Sequence, residues 1–120
     1  MEYGVISENN SMKAIAKLRI IDEEGNNIFC SGAEELFLLI EGTGSVRHAA
    51  EKMGLSYSKA WKIVNRIEKA IGKPAINRIQ GGKGGGKAEL TADGKRMLSE
   101  FLSMKEKLDE FMEGVTFEAF

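Results

Sequence analysis

The sequence predicts a mainly α chain with small β-hairpins, an α+β fold class. Three observations carry that expectation. Residues 45–72 and 91–115 repeat apolar side chains every three or four positions, the period of a helix with one buried face. Residues 12–20 alternate with period two, and two short strand-like segments flank a glycine run further on. Serine or threonine stands where each helix would begin, and glycine where several would end.

The elements follow in order. Residues 1–11 are polar and aperiodic and read as a mobile arm, leaving 12–120 as one domain. From Met12, Ala14, Ala16, Leu18 and Ile20 share one face of a strand, with Lys13, Ile15, Lys17 and Arg19 on the other. "DEEGNN" is turn chemistry, after which Ile28, Phe29 and Cys30 return as a second strand of an N-terminal hairpin. Ser31 with Glu34 reads as a capping box opening a helix that ends at Gly42-Thr43-Gly44. Leu36, Phe37, Leu39 and Ile40 are its core-facing residues.

Ser45 then caps a short helix with Val46, Ala49, Ala50 and Met53 inward, and Gly54 ends it in the left-handed conformation a C-cap wants. Ser56 caps a longer helix with Ala60, Val64, Ile67 and Ile71 inward; Gly72 and Pro74 stop it. A short helix, a tight turn and a longer helix over 45–72 make a helix-turn-helix. "AINRIQ" and "KAEL" form a hairpin, a wing over 75–90, around the glycine-rich tip. Thr91 caps a last helix over 91–115, with Asp93 favourably placed against the helix dipole. The whole order is that of a winged helix-turn-helix.

Composition narrows function. The chain has 42% hydrophobic and 29% charged residues, values of a globular protein. The longest apolar run, residues 36–40, cannot span a bilayer, and no signal peptide opens the chain, so a cytoplasmic location is expected. One cysteine, Cys30, and one histidine, His48, make neither a disulfide nor a metal site, and no catalytic set is apparent. No cofactor is expected. "GGKGGGKAELT" resembles a phosphate-binding loop, but Ala88 stands where that loop needs a hydroxyl to hold Mg²⁺, and a strand, not a helix, follows.

The net charge of −1 conceals a segregation. Residues 45–96 carry twelve Lys and Arg against four acids, +8, while the remainder sums to −9. Such a basic segment on a helix-turn-helix points to double-stranded DNA, with the first turns of the second helix in the major groove. Its outward face holds Ser58, Lys59, Lys62, Asn65, Arg66 and Lys69, and Tyr57, Ser58, Lys59, Trp61 and Lys62 fall nearest the bases. Lys62 suits guanine O6 and N7, and Asn65 suits adenine. Ser45, Arg47 and Ser56 are placed for phosphates, and Lys83 and Lys87 on the wing for the backbone or minor groove. Trp61 borders both faces, so it either packs under the wing or touches DNA. The last helix carries a broad apolar stripe that either closes the core or meets a second copy. In the second case Leu36, Leu39, Phe101, Leu102, Leu108, Phe111 and Met112 form a homodimer interface.

"GLSYSKAW" (residues 54–61), "GGKGGGKAELT" and the "DG" of Asp93-Gly94 carry a family likeness. Together they resemble the N-terminal DNA-binding domain of the molybdate-responsive ModE-type transcriptional regulators, and more distantly the LysR-type winged helix. The likeness covers about residues 13–112. It implies DNA binding and dimerisation. Regulators of that type carry C-terminal molybdate-binding domains, which have no counterpart among these 120 residues; molybdate is an effector only by family. A winged-helix protein-interaction module without DNA binding is the alternative function.

Overall fold

The computed structural model describes residues 3–6, 12–79 and 87–117. Its elements run β1 (Tyr3–Ile6), β2 (Lys13–Ala16), β3 (Ile20–Ile21), β4 (Asn27–Phe29), α1 (Ser31–Thr43), α2 (Val46–Met53), α3 (Tyr57–Ile71), β5 (Ile76–Ile79), β6 (Lys87–Leu90) and α4 (Ala92–Glu113). This is the mainly α, α+β winged helix with a long C-terminal helix that the sequence predicts. Contacts cluster residues 19–99 into one compact unit and residues 1–18 with 100–120 into another.

Within residues 19–99, α1, α2 and α3 pack on one another, and the wing strand β6 packs on α1. The core holds Phe29, Leu36, Phe37, Ile40, Val64 and Ile67, all fully buried. Phe29 meets Phe37 edge to face, with centroids 5.3 Å apart and planes at 87°, the arrangement that ring quadrupoles favour. Ala49, Ala50 and Ala60 are buried where α2 packs on α3, and small side chains allow that approach.

The helix-turn-helix forms for local reasons. The Ser45 hydroxyl accepts from the His48 N–H at 3.1 Å, and Ser56 from the Lys59 N–H at 3.2 Å. Between them Gly54 has φ of 70°, a region where a side chain is strained. That turn lets the Leu55 N–H reach the Ala50 carbonyl at 2.9 Å, closing a Schellman-type end. Each cap should be worth about 1 kcal/mol, so denaturant unfolding of Ser45→Ala and of Ser56→Ala should each show that loss.

Three contacts fix the wing. The Ala88 N–H donates to the Gly44 carbonyl at 2.8 Å, tying β6 to the end of α1. The Glu68 carboxylate of α3 accepts from the N–H groups of Ala75 at 2.7 Å and Ile76 at 3.3 Å, holding the start of β5. Thr91 accepts from the Gly94 N–H at 3.0 Å, as a helix cap should, and donates to the Pro74 carbonyl at 2.7 Å. β5 and β6 are antiparallel in the register Ile76 with Leu90 and Arg78 with Ala88. At the other hairpin, Asp22 accepts from the backbone and side chain of Asn26. Those bonds hold its carboxyl below the ordinary value.

In the unit of residues 1–18 and 100–120, β1 pairs antiparallel with β2, Tyr3 opposite Ala16 and Ile6 opposite Lys13. Residues 3–6, which the sequence assigns to an arm, are therefore a strand. The single strand expected over residues 12–20 is two, since β3 turns instead to pair with β4. The later turns of α4 expose Leu102, Met104 and Phe111, the last 66% accessible.

Two further expectations are corrected. The cap of α1 is Cys30, which makes no side-chain cap bond, and Ser31 is already helical. The Glu34 N–H bonds instead to the Cys30 carbonyl at 3.0 Å. Leu36, expected at a dimer interface, is fully buried in the chain's own core, and Phe101 is 2% exposed. Neither has surface to offer a partner, whereas Leu38 does.

Candidate nucleic-acid interface

The helix-turn-helix places the first turns of α2 and α3 at one site. Ser45 and Ser56, the two caps, lie one residue before their helices. Arg47 from α2 reaches α3, where its guanidinium carbon sits 4.5 Å from the centroid of the Tyr57 ring. Tyr57 meets Trp61 one turn on, with centroids 6.3 Å apart and planes at 76°. The Trp61 face in turn carries the guanidinium of Arg78 from β5, at 3.8 Å. An Arg–Tyr–Trp–Arg array thus joins α2, α3 and the wing. Trp61 packs beneath a wing residue, one of the two positions the sequence allows it.

Ser58, Lys59 and Lys62 are exposed along the same first turns of α3. Ser58 lies 3.3 Å from the Ser56 hydroxyl. Among the described residues, the ammonium groups of Lys59 and Lys62 have neither an ion-pair nor a hydrogen-bond partner. A row of uncompensated cations beside capped helix ends can hold phosphate oxygens, while short polar side chains reach base edges.

The remaining expected residues are less uniform. Asn65 is exposed further along α3. Arg66 is committed elsewhere: it donates to the Asn27 carbonyl at 3.3 Å, and the Asn27 side chain also accepts from Arg19 at 2.7 Å. These bonds direct Arg66 to the β3–β4 hairpin. Lys87 is exposed on β6. Lys83 and the glycine tip lie outside the described residues. Arg78 is the functional candidate that sequence reasoning missed. A signal existed: two residues beyond the buried Ile76, it falls on the helix-facing side of the wing. Among the described residues no cluster of His, Cys, Asp or Glu could hold a metal.

Comparison with known proteins agrees with this architecture. Residues 33–95 match the description of a bacterial regulatory helix-turn-helix protein of the lysR family. The chain is 39% identical over 72 residues to the molybdenum-pterin-binding protein MopB of Rhodobacter capsulatus, covering 58% of this chain and 27% of that protein. It is 39% identical over 59 residues to the transcriptional regulator ModE of Yersinia pestis, covering 49% of this chain and 22% of that protein. To the DNA-binding transcriptional dual regulator ModE of Escherichia coli K12 it is 38% identical over 56 residues, 47% of this chain and 21% of that protein. The chain thus spans about a quarter of the length of these relatives. A matched segment covering more than half of the chain, on the elements just described, shows that the protein belongs to the lysR family of bacterial regulatory helix-turn-helix proteins.

Proposed function

We propose that this chain is a sequence-specific, double-stranded-DNA-binding module of a transcriptional regulator, acting as a homodimer in the bacterial cytoplasm. The observation that carries the reading is the exposed, unpartnered pair Lys59 and Lys62 on the first turns of α3, beside the capped ends of both helices. The first turns of α3 enter the major groove, where Lys62 donates to a guanine and Ser58 and Tyr57 meet neighbouring edges. Asn65 reads adenine where it reaches. Ser45, Arg47, Ser56 and Lys59 hold phosphates. Lys87, with Lys83, follows the backbone or minor groove. Arg66 serves the hairpin first and DNA second.

Dimerisation brings two recognition helices onto an inverted repeat whose half-sites lie about one or more helical turns apart. Leu102 and Phe111, exposed on α4, supply its centre, with the half-buried Leu108 and Met112 of the same helix beside them; Leu39 of α1, half-buried, is a separate candidate. Membership of a family of regulatory helix-turn-helix proteins supports a regulatory role. Among the described residues no helix is long and apolar enough to cross a membrane. Molybdate is the first co-ligand to add in binding experiments, because molybdenum appears in the name of the Rhodobacter relative.

Salt titration tests the reading. With roughly four phosphate contacts per protomer, a dimer should lose affinity with a log–log slope of about −7. A slope near zero would contradict DNA binding and leave protein docking through α4 as the function. Lys62→Ala should relax preference at one base pair by about 1–3 kcal/mol, read by competition between duplexes differing at single positions.

A further inference from the structure

We propose that Arg78 is a DNA-phosphate-binding residue of the wing and that Trp61 is its positioning residue. The inference rests on the DNA-binding reading above and extends it to a pair of residues. Arg78 is exposed, and its guanidinium carbon lies 3.8 Å from the Trp61 centroid. Stacking uses only the face of the guanidinium plane. Its five N–H donors point outward from the plane's edge, in the fork that suits phosphate oxygens. Among the described residues none of those donors has a hydrogen-bond or ion-pair partner.

Trp61 is built to offer its face. Its indole N–H is buried and makes no hydrogen bond among the described residues. Burying an unsatisfied donor costs free energy, so a phenylalanine would serve a purely packing role better. The indole is, however, the strongest aromatic platform for a cation. Tyr57 repeats the arrangement with Arg47 at 4.5 Å, and the two rings touch edge to face. Two guanidiniums are thereby pre-set, one on α2 and one on β5, with α3 between them. Ordering them before contact lowers the entropy lost on binding. On the wing, the pleat puts Arg78 on the face shared with buried Ile76, Ala88 and Leu90, and Lys87 on the opposite face. Arg78 is therefore the described wing cation on the recognition-helix side.

The test uses the 120-residue protein and a fluorescein-labelled 30-base-pair duplex of mixed sequence, titrated by anisotropy across a salt series. Arg78→Ala should reduce the salt slope by about 0.9 per protomer. Trp61→Leu should weaken binding, and adding Arg78→Ala to it should cost little more, because the platform is already gone. Trp61→Phe keeps a ring but a weaker platform and should fall between the parent and Trp61→Leu, which guards against a Leu variant that fails to fold. Trp61 is the chain's one tryptophan, so its emission reports the stack directly. Duplex should change that emission in the parent and leave it nearly unchanged in Arg78→Ala. A parent that binds, with an Arg78→Ala variant of equal slope and equal emission change, overturns the proposal alone. A parent that shows no duplex binding at low salt overturns the DNA-binding reading with it.

Discussion

Reversing two charges on α3, Lys59→Glu with Lys62→Glu, is expected to abolish specific duplex binding while the fold survives. Both side chains are exposed and have no partner among the described residues, so nothing inside the protein depends on them. Each lost contact costs about 1–3 kcal/mol, and a carboxylate in its place adds repulsion from the phosphates. Over two residues the lost contacts alone cost at least about 30-fold in affinity per protomer, since about 1.4 kcal/mol is a factor of ten, and the repulsion adds to that. Anisotropy titration at fixed salt measures it, and an unchanged thermal unfolding curve shows that the scaffold is intact. A double variant that binds like the parent would remove α3 from the interface. Charge reversal at Lys95 and Arg96 on α4, both exposed, is the matched control and should do far less.

Gly94→Ala should unfold the protein at markedly lower denaturant or temperature. Alanine within a helix normally stabilises relative to glycine by up to about 1 kcal/mol. Here the sign reverses. A Cβ at residue 94 would collide with the Ala75 carbonyl oxygen and lie 3.1 Å from its carbon. That carbonyl is backbone, and it already accepts the Thr91 N–H at 2.9 Å. It cannot move without pulling the start of β5 from the beginning of α4. Overpacking of this kind costs about 1–3 kcal/mol, with more when backbone must shift. Gly32 and Gly42 in α1 have open space where a Cβ would go. Alanine at either should stabilise by about 0.4–1 kcal/mol. Opposite signs for chemically identical substitutions would establish that the α4–β5 approach, and not glycine content, sets the effect.

What the sequence disclosed follows from where each signal resides. The helix-turn-helix was legible because its determinants are local: a serine cap, an apolar period and a terminal glycine lie within a few residues of one another. The boundaries of α3 and its caps agree with that reading residue by residue. The pairing of β1 with β2 was not legible, because residues 3–6 show no alternation and depend on a partner strand. The start of α1 was misplaced because Cys30 caps with its backbone geometry alone, leaving no side-chain signature. Periodicity put Leu36 on the right face but could not distinguish a core position from an interface position. At the candidate site, charge and spacing found Lys59 and Lys62. The roles of Arg66, tied to Asn27, and of Arg78, laid on Trp61, come from contacts between residues 39 and 17 positions apart along the chain. The same is true of Gly94, whose requirement for a missing side chain is imposed by Ala75.

The central claim is that α3 reads DNA sequence from a two-fold assembly. Its most direct test is to incubate the purified protein with sheared genomic DNA of its source, with and without molybdate, and to sequence what is retained. The account predicts enrichment of an inverted repeat whose half-sites lie about one or more helical turns apart. It also predicts that the Lys59→Glu, Lys62→Glu variant loses that enrichment. Retention at background under both conditions, or enrichment that the double variant preserves, would contradict it.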